Sequence, residues 1–178
     1  MIILGVDPGT LFTGYGIIKY SNNELTPVAA GVIKIPASNE MARRLKLIYD
    51  ELDRLIKEHK PDEFAIETAF YGKNVQSAMK IGYARGVSLL AAEMHSLPSK
   101  EYSPREVKKS VVGNGAASKE QVQYMIKKLL SVKKNKMKFD ESDALAVAVC
   151  HAFKRNTAVY KSRSWKEFIE ANPDKVIL

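Results

Sequence analysis

The sequence predicts an α/β domain in which helices flank a mixed sheet of five strands. An apolar run over residues 2–6 ends at Asp7-Pro8-Gly9-Thr10, a pattern typical of a buried strand that enters a tight turn. The β-rich stretches 13–20 and 26–35 follow, separated by turn residues 21–23, so three adjacent antiparallel strands are expected. Strand and helix patterns then alternate, which is typical of an α/β arrangement.

Seven further elements complete the predicted order β-β-β-α-β-α-β-α-α-α. The first helix, at about 40–59, carries apolar residues at helical spacing and stops at Lys60-Pro61. A short apolar strand at 64–66 leads directly into Glu67. Downstream we predict a helix at about 75–94, a strand at about 100–103, and helices at about 104–112, 118–130 and 140–153.

Small residues are spaced four apart along the predicted helix 75–94, at Ala78, Gly82 and Gly86. They line one face, and each glycine costs a helix about 0.8–1 kcal/mol relative to alanine. Two such glycines therefore need a packing reason. Either the helix packs closely on the sheet, or it contacts the same helix of a second copy across a two-fold axis.

One domain is the expected count for 178 residues. We place it at residues 1–156 and treat 157–178 as a C-terminal tail without an assigned role. No apolar stretch approaches the roughly 18 to 20 residues that a membrane helix needs, so no membrane association is expected. Cys150 is the only cysteine, which excludes a disulfide within the chain and favours the cytoplasm as its compartment.

The net charge of +8 is concentrated in one segment of the chain. Residues 100–138 contain eleven lysines and arginines but only three acidic residues, and positive and negative charges balance elsewhere. A localised basic surface is typical of proteins that bind a polyanion. A solvated, lysine-rich helix face is the alternative interpretation, and charge alone does not separate the two.

Two carboxylates end apolar strands in the predicted fold. Asp7 follows the first strand and Glu67 follows the fourth, where a buried carboxylate without a partner would be costly. If these strands are parallel neighbours, both side chains lie at the carboxyl edge of the sheet, the usual place for ligands in α/β folds. Like charges at close range repel each other, and a divalent cation commonly relieves that repulsion.

Two more carboxylates, Asp140 and Asp143, lie three residues apart at the start of the last predicted helix, on one face of its first turn. Singly, each has an ordinary interpretation, as an N-cap or as a charge favoured at a helix N-terminus. Together with Asp7 and Glu67, however, they form an all-oxygen set that suits Mg²⁺ or Mn²⁺ and metal-assisted phosphodiester cleavage. Lys119 is expected to stabilise charge that develops near the scissile phosphate.

The ordered motifs of the chain resemble the RuvC-type Holliday-junction resolvases of bacteria. No single motif is decisive, but the set is in order and covers about residues 1–152. The matching stretches are Gly5-Val6-Asp7-Pro8-Gly9-Thr10, Thr13-Gly14-Tyr15-Gly16, Arg44-Leu45-Lys46-Leu47-Ile48-Tyr49, Ala65-Ile66-Glu67, Phe70, Lys73-Asn74, Ala84-Arg85-Gly86, Val107-Lys108, Val111-Val112-Gly113, Lys119, Gln121-Val122 and Asp140 through Asp143-Ala144-Leu145-Ala146.

This resemblance implies an RNase H-like fold, a homodimer, and two Mg²⁺ ions per active site, with Mn²⁺ as a substitute. It implies symmetrical nicking of two opposing strands at a four-way DNA junction during recombination and repair, with ends that a ligase can seal. The RuvA and RuvB branch-migration proteins are the implied partners.

The resemblance also assigns roles to individual residues. The catalytic carboxylates of the family fall on Asp7, Glu67, Asp140 and Asp143. Basic residues that the family uses on DNA and at the cleavage site match Lys108 and Lys119, and Lys73 belongs to the DNA-binding set. Phe70 matches an aromatic residue that contacts junction bases, where a ring can stack on an unpaired base.

Three other interpretations remain open from the sequence. An ATP-binding protein of the actin and sugar-kinase type also has an early Asp-x-Gly-Thr turn, but 178 residues are too few for its second half. A non-catalytic basic DNA-binding module explains the charge but not the placed carboxylates. Another RNase H-like nuclease, acting on RNA-processing intermediates, shares the early acidic strand end. The Phe70 and Lys73-Asn74 motif favours the junction enzyme.

Overall fold

A computed structural model describes residues 1–68, 75–132 and 137–161, with side chains as far as residue 155. Within these ranges it contains five strands and five helices in the predicted order. The elements are β1 (Ile2–Asp7), β2 (Phe12–Ser21), β3 (Glu24–Lys34), α1 (Met41–His59), β4 (Glu63–Glu67), α2 (Val75–Met94), β5 (Ser99–Tyr102), α3 (Pro104–Val112), α4 (Lys119–Leu129) and α5 (Phe139–Lys161).

The five strands form one mixed sheet, as the sequence predicts, and their order is β3-β2-β1-β4-β5. The β3-β2-β1 half is antiparallel, whereas β4 pairs in parallel with both β1 and β5. In the parallel register Val6 lies beside Ile66, and Glu67 lies beside Tyr102. The carboxyl ends of β1 and β4 therefore meet at one edge of the sheet, as expected from Asp7 and Glu67.

Helices cover both faces of the sheet because neighbouring residues along a strand point to opposite faces. Leu4 belongs to the hydrophobic cluster beneath α1 and α2, which also contains Ile48 and Leu52. Its neighbour Ile3 belongs to the opposite cluster, beneath α3, α4 and α5, together with Leu145. With apolar residues buried on both faces, the central strands have near-continuous apolar sequences.

Glycines on the sheet allow α5 to lie against the strand backbone. A Cβ atom added at Gly16 would lie 2.7 Å from the Leu145 backbone nitrogen, and one at Gly5 would lie 2.7 Å from the Ala148 backbone nitrogen. At Gly14, an added Cβ would overlap the carbonyl group of Asp140. This close approach sets the position of the helix that carries Asp140.

Polar contacts also fix α5 against the parallel half of the sheet. The Tyr102 hydroxyl lies 2.7 Å from Nδ1 of the buried His151, and Nε2 of His151 contacts the Glu63 carboxylate. Glu63 in turn pairs with Arg155. Burial lowers the pKa of His151. These contacts join β4, β5 and α5.

The last helix is longer than its sequence pattern predicts. We expected it to end near Phe153, and that prediction was wrong, because α5 continues to Lys161. Residues 154–161 lack apolar periodicity, but they contain neither glycine nor proline. Lys154 forms an ion pair with Glu106 on α3, which holds the extension. The helix therefore crosses position 156, and residues 162–178 of the predicted tail lie outside the described residues.

No helix in the described ranges is both long and apolar enough to span a bilayer.

Candidate active site

The strand ends place two carboxylates side by side. Asp7 ends β1 and Glu67 ends β4, and the two strands are parallel neighbours. The turn after Asp7 is held by the buried Thr13, whose hydroxyl donates to the Gly9 carbonyl oxygen at 2.6 Å.

Two helices complete what we call the acid cleft. A capping box between Ser118 and Gln121 begins α4, as the sequence predicts, and orients Lys119 in the first turn. Lys119 Nζ donates to Asp143 Oδ2, on α5, at 2.9 Å. The acid cleft is a 160 Å³ cavity lined by Asp7, Glu67, Pro104, Val107, Lys108, Lys119, Val122 and Asp143.

Asp140 lies beside this cleft rather than in it. It is one turn before Asp143 on α5 and lines a neighbouring groove. Its charge nevertheless raises the pKa values of Asp7 and Asp143, so it belongs to the same electrostatic cluster. The structure thus brings Asp7, Glu67 and Asp143 into one cavity and leaves Asp140 at its margin.

Crowding and burial perturb the carboxyl groups of the cleft. Burial, followed by the charge of Asp143, raises the pKa of Asp7 to about 7. Burial, followed by the charge of Asp7, raises the pKa of Glu67 to about 8. Burial also raises the pKa of Asp143, although the hydrogen bond from Lys119 opposes that rise. Both Asp7 and Glu67 therefore release their protons at a higher pH than ordinary carboxyl groups do.

Lys119 and Lys108 partly balance this negative charge. Burial, the largest single effect, would lower the pKa of Lys119, but the hydrogen bond to Asp143 and the charges of Asp143, Asp7 and Asp140 together outweigh it and raise that pKa. Lys108 lines the cleft from α3, and its charge lowers the pKa of Glu67 against the larger effects of burial and Asp7. Both lysines line the cleft and their roles there stay predictions, whereas Phe70 and Lys73 lie outside the described residues.

The donor set of the cleft suits hard divalent cations. Three carboxylates line one small cavity, and the pKa values of two of them are raised first by burial and then by neighbouring negative charges, whose repulsion a cation would relieve. As the side chains stand, no three acidic, histidine or cysteine side chains of the described residues are arranged to hold one ion. In this arrangement Lys119 Nζ lies 2.9 Å from Asp143 Oδ2.

The raised pKa of Glu67 predicts how the stability of the folded protein depends on pH. A carboxyl group whose pKa is higher in the folded protein binds more protons when folded, so stability falls as pH rises. Without metal, the Glu67→Gln variant is therefore expected to unfold about 4 to 8 °C above the wild type near pH 9, corresponding to roughly 2 kcal/mol. The difference should nearly vanish below about pH 4.5, where Glu67 is protonated in both states.

Thermal unfolding in EDTA at a series of pH values measures this difference. Glu58→Gln is the matched control, because Glu58 is exposed on α1 and does not line the cleft. Mg²⁺ should raise the midpoint of the wild type more at high pH than at low pH, because the cation competes with protons. Equal midpoints for Glu67→Gln and wild type near pH 9 would show that Glu67 is not destabilising.

A second groove next to the cleft was not predicted from the sequence. This aromatic groove, as we call it, has a volume of 520 Å³ and is lined by Phe12, Lys119, Gln123, Met137, Lys138, Phe139 and Asp140. Phe12 and Phe139 are 52% and 41% exposed. Phe12 directly precedes the predicted β-rich stretch 13–20 and Phe139 directly precedes a predicted helix, so neither pattern indicates exposure.

Comparisons with known proteins agree with this geometry. The family description "Crossover junction endodeoxyribonuclease RuvC" matches residues 3–151. The protein of that name from Chloroherpeton thalassium is 46% identical over 185 residues, covering 99% of this chain and 100% of the relative. The one from Salinibacter ruber is 46% identical over 177 residues and covers 99% of each chain.

Solved structures give the same result. Thermus thermophilus RuvC in complex with a Holliday junction substrate superposes with a TM-score of 0.83 at 28% identity, covering 89% of this chain and 96% of that one. The yeast mitochondrial Holliday junction resolvase Ydc2 has a TM-score of 0.62 at 14% identity and supports the fold alone. With the RNase H-like fold, the acid cleft and the match over residues 3–151, this chain belongs to the RuvC family of crossover junction endodeoxyribonucleases.

Proposed function

We propose that this protein is a Holliday-junction resolvase that nicks two opposing strands of a four-way DNA junction by metal-dependent hydrolysis. The observation that carries the proposal is the acid cleft, where Asp7, Glu67 and Asp143 converge beside Lys108 and Lys119. Carboxylates that hold cations and lysines that contact phosphates are the two requirements of phosphodiester cleavage. The crossover-junction name of its relatives, and the junction bound to the Thermus protein, supply the substrate.

We assign Asp7, Glu67, Asp140 and Asp143 to hold two Mg²⁺ ions, with Mn²⁺ as a substitute. When bound, such ions supply an activated water and stabilise the leaving oxygen of an in-line displacement. Cation binding requires Asp7 and Glu67 to be ionised, so nicking should accelerate as pH rises towards their raised pKa values of about 7 and about 8.

Lys119 and Lys108 contribute positive charges that belong to the protein itself. In the cleft Lys119 Nζ already donates to Asp143, and a nearby phosphate oxygen offers it a second acceptor. The Lys119 side chain is 57% exposed, whereas that of Asp143 is 15% exposed, so the lysine can turn to DNA without uncovering the carboxylate. We therefore assign Lys119 to charge stabilisation at the scissile phosphate and Lys108 to DNA binding.

A substrate comparison tests the proposed function. The protein is incubated with a synthetic four-way junction, a linear duplex of the same sequence and a single strand, each with Mg²⁺ or with EDTA. Nicking of the junction alone, in Mg²⁺ alone, is the expected result. Binding without nicking would indicate a non-catalytic DNA-binding module. An RNA-containing duplex is added as a further substrate, and its cutting at the same rate as the junction would indicate another RNase H-like nuclease.

We also propose that the protein acts as a homodimer joined along α2. A stripe of exposed apolar residues follows one face of α2, formed by Val75, Met79, Tyr83, Leu90 and Met94. Gly82 and Gly86 lie on the same face, and a Cβ added at either meets no atom of the described residues within 4 Å. Packing on the sheet therefore does not explain these glycines, whereas close approach of a second α2 would.

A two-fold dimer also suits the substrate, because paired cuts on opposing strands need two related active sites. An ion pair from Arg85 to Glu101 ties α2 to β5, with Arg85 Nε 2.7 Å from Glu101 Oε2, which holds the exposed face outward. The RuvA and RuvB proteins as partners, and the cytoplasm as compartment, stay predictions.

Leu90→Glu is expected to weaken the dimer by about 30-fold or more, because it introduces a charge at the centre of an apolar contact. Analytical ultracentrifugation over a concentration series measures the change between one chain of 19.9 kDa and twice that mass. Val28→Glu is the matched control, since Val28 is 46% exposed on the edge strand β3. A wild-type protein that stays at the mass of one chain, or a Leu90→Glu protein as dimeric as wild type, would contradict this interface.

A further inference from the structure

The aromatic groove carries features that the acid cleft does not use. Two phenylalanine rings from distant parts of the sequence meet there, Phe12 from the start of β2 and Phe139 from the start of α5. Leaving such a side chain exposed to water forgoes the roughly 1.5–3 kcal/mol of stabilisation that its full burial would contribute. The rings are not on α2, so the proposed dimer contact does not account for them.

The groove is also positively charged. Lys119 and Lys138 line it, and Lys34 lies opposite Phe12 in the strand register. Lys34 and Lys138 are close enough to interact with each other. Asp140 is the one carboxylate among the residues that line the groove, so an anionic ligand would be attracted.

The groove adjoins the acid cleft at a shared residue. Lys119 lines both cavities, and Asp140, at the margin of the acidic cluster, lines the groove. Asp140 directly follows Phe139 in the chain. A DNA strand whose scissile phosphate lies in the cleft therefore has its neighbouring nucleotide beside the groove. The volume of 520 Å³ lies within the 300–1,000 Å³ typical of sites for ligands of nucleotide size.

We propose that the aromatic groove holds one unpaired nucleotide next to the scissile phosphate, with its base against Phe12 and Phe139 and its phosphate near Lys138 and Lys34. This inference rests on the proposed function. Rings that are half exposed and flanked by cations are the combination that binds single-stranded nucleic acid, because bases stack on rings while lysines contact the backbone. A base paired in a duplex presents only its edge, so the groove favours a nucleotide released from pairing near the branch point.

Single-turnover nicking tests the groove with Phe12→Ala and Phe139→Ala. Three four-way junctions are compared: one intact, and two with an abasic residue on either side of the scissile phosphate. Each variant is expected to nick the intact junction about 5- to 150-fold more slowly, the range for one lost stacking contact. On the abasic junction that lacks the held base, the same variants should lose less than about twofold relative to wild type, because the interaction is already absent.

Matched variants separate stacking from other effects. Phe139→Tyr keeps the ring and should restore nicking of the intact junction to within about twofold of wild type. Tyr124→Ala removes a ring that is 60% exposed on α4, outside the groove, and should have no effect on nicking. Lys138→Gln should lower the slope of log affinity against log salt concentration by about 0.9, the value for one phosphate contact.

Two results would overturn the proposal. Phe12→Ala and Phe139→Ala could nick the intact junction at the wild-type rate, which would indicate that the rings contact a protein and not a base. Alternatively, both could lose the same factor on intact and abasic junctions. If the wild type nicks no junction, the proposed function fails instead. Anisotropy with a fluorescent single-stranded oligonucleotide then decides the groove: weaker binding by both variants supports it, and unchanged binding rejects it.

Discussion

Asp7→Asn is expected to reduce junction nicking by at least about 100-fold. This exceeds the usual effect of changing a residue that contacts a metal ligand without binding the metal itself. Asparagine has nearly the same shape as aspartate but carries no negative charge, so it binds a divalent cation far less well. Asp7 ends β1 at the centre of the acid cleft, and the charges of Asp143 and Asp140 both act on it. Its removal should therefore disable the site.

Binding and folding should survive the same substitution. One negative charge fewer near the DNA leaves junction affinity equal to wild type or slightly higher. Because burial raises the pKa of Asp7 to about 7, its ionised form destabilises the metal-free protein near pH 8, and Asp7→Asn should be at least as stable. Electrophoretic binding assays and thermal unfolding measure both properties. Asp50→Asn, on the exposed face of α1, is the control.

An Asp7→Asn protein that fails to fold, or that no longer binds the junction, would assign Asp7 a structural role. Nicking within about tenfold of wild type would remove it from the metal site, because even outer-shell residues cost 10- to 100-fold.

Gly14→Ala is expected to lower the free energy of unfolding by about 1–3 kcal/mol or more and to abolish nicking. The added Cβ would overlap the backbone carbonyl of Asp140, and the backbone cannot move away as a flexible side chain can. The start of α5 must therefore shift, and Asp143 shifts with it. Urea unfolding and the nicking assay measure the two consequences.

Gly31→Ala provides the matched comparison for this prediction. Gly31 lies in the same sheet, but an added Cβ there meets the ring and hydroxyl of Tyr15, which is a side chain. Its cost should be smaller, and nicking should persist because α5 keeps its position. Equal stability of Gly14→Ala and wild type would mean that α5 is not fixed by backbone contact with the sheet.

The positions of Asp7 and Glu67 could be predicted because they depend on local patterns. Each follows an apolar strand, and parallel pairing of β1 and β4 brings such strand ends to one edge. The spacing of Asp140 and Asp143 likewise predicts one helical face. The sequence does not fix how α5 crosses the sheet, so it could not show that Asp143 enters the cleft while Asp140 lines the groove.

Other features depend on contacts between distant segments and could not be predicted. The exposure of Phe12 and Phe139 follows from the meeting of β2 and α5, and each residue alone has an ordinary apolar pattern. The extension of α5 to Lys161 depends on partners such as Glu106, which lies 48 positions earlier than Lys154. For α2, the sequence allowed two explanations of Gly82 and Gly86. The fold excludes close packing of these glycines on the sheet, because a Cβ added at either meets no atom of the described residues within 4 Å.

Strand-by-strand mapping of the nicks tests the central claim most directly. A four-way junction is prepared in four versions, each with a different strand labelled at its end, and is incubated with the protein and Mg²⁺. The account predicts cuts on two opposing strands at symmetrically related positions, no cuts in EDTA, and products that DNA ligase seals. Cuts on a single strand, cutting in EDTA, or equal cutting of a linear duplex would contradict it.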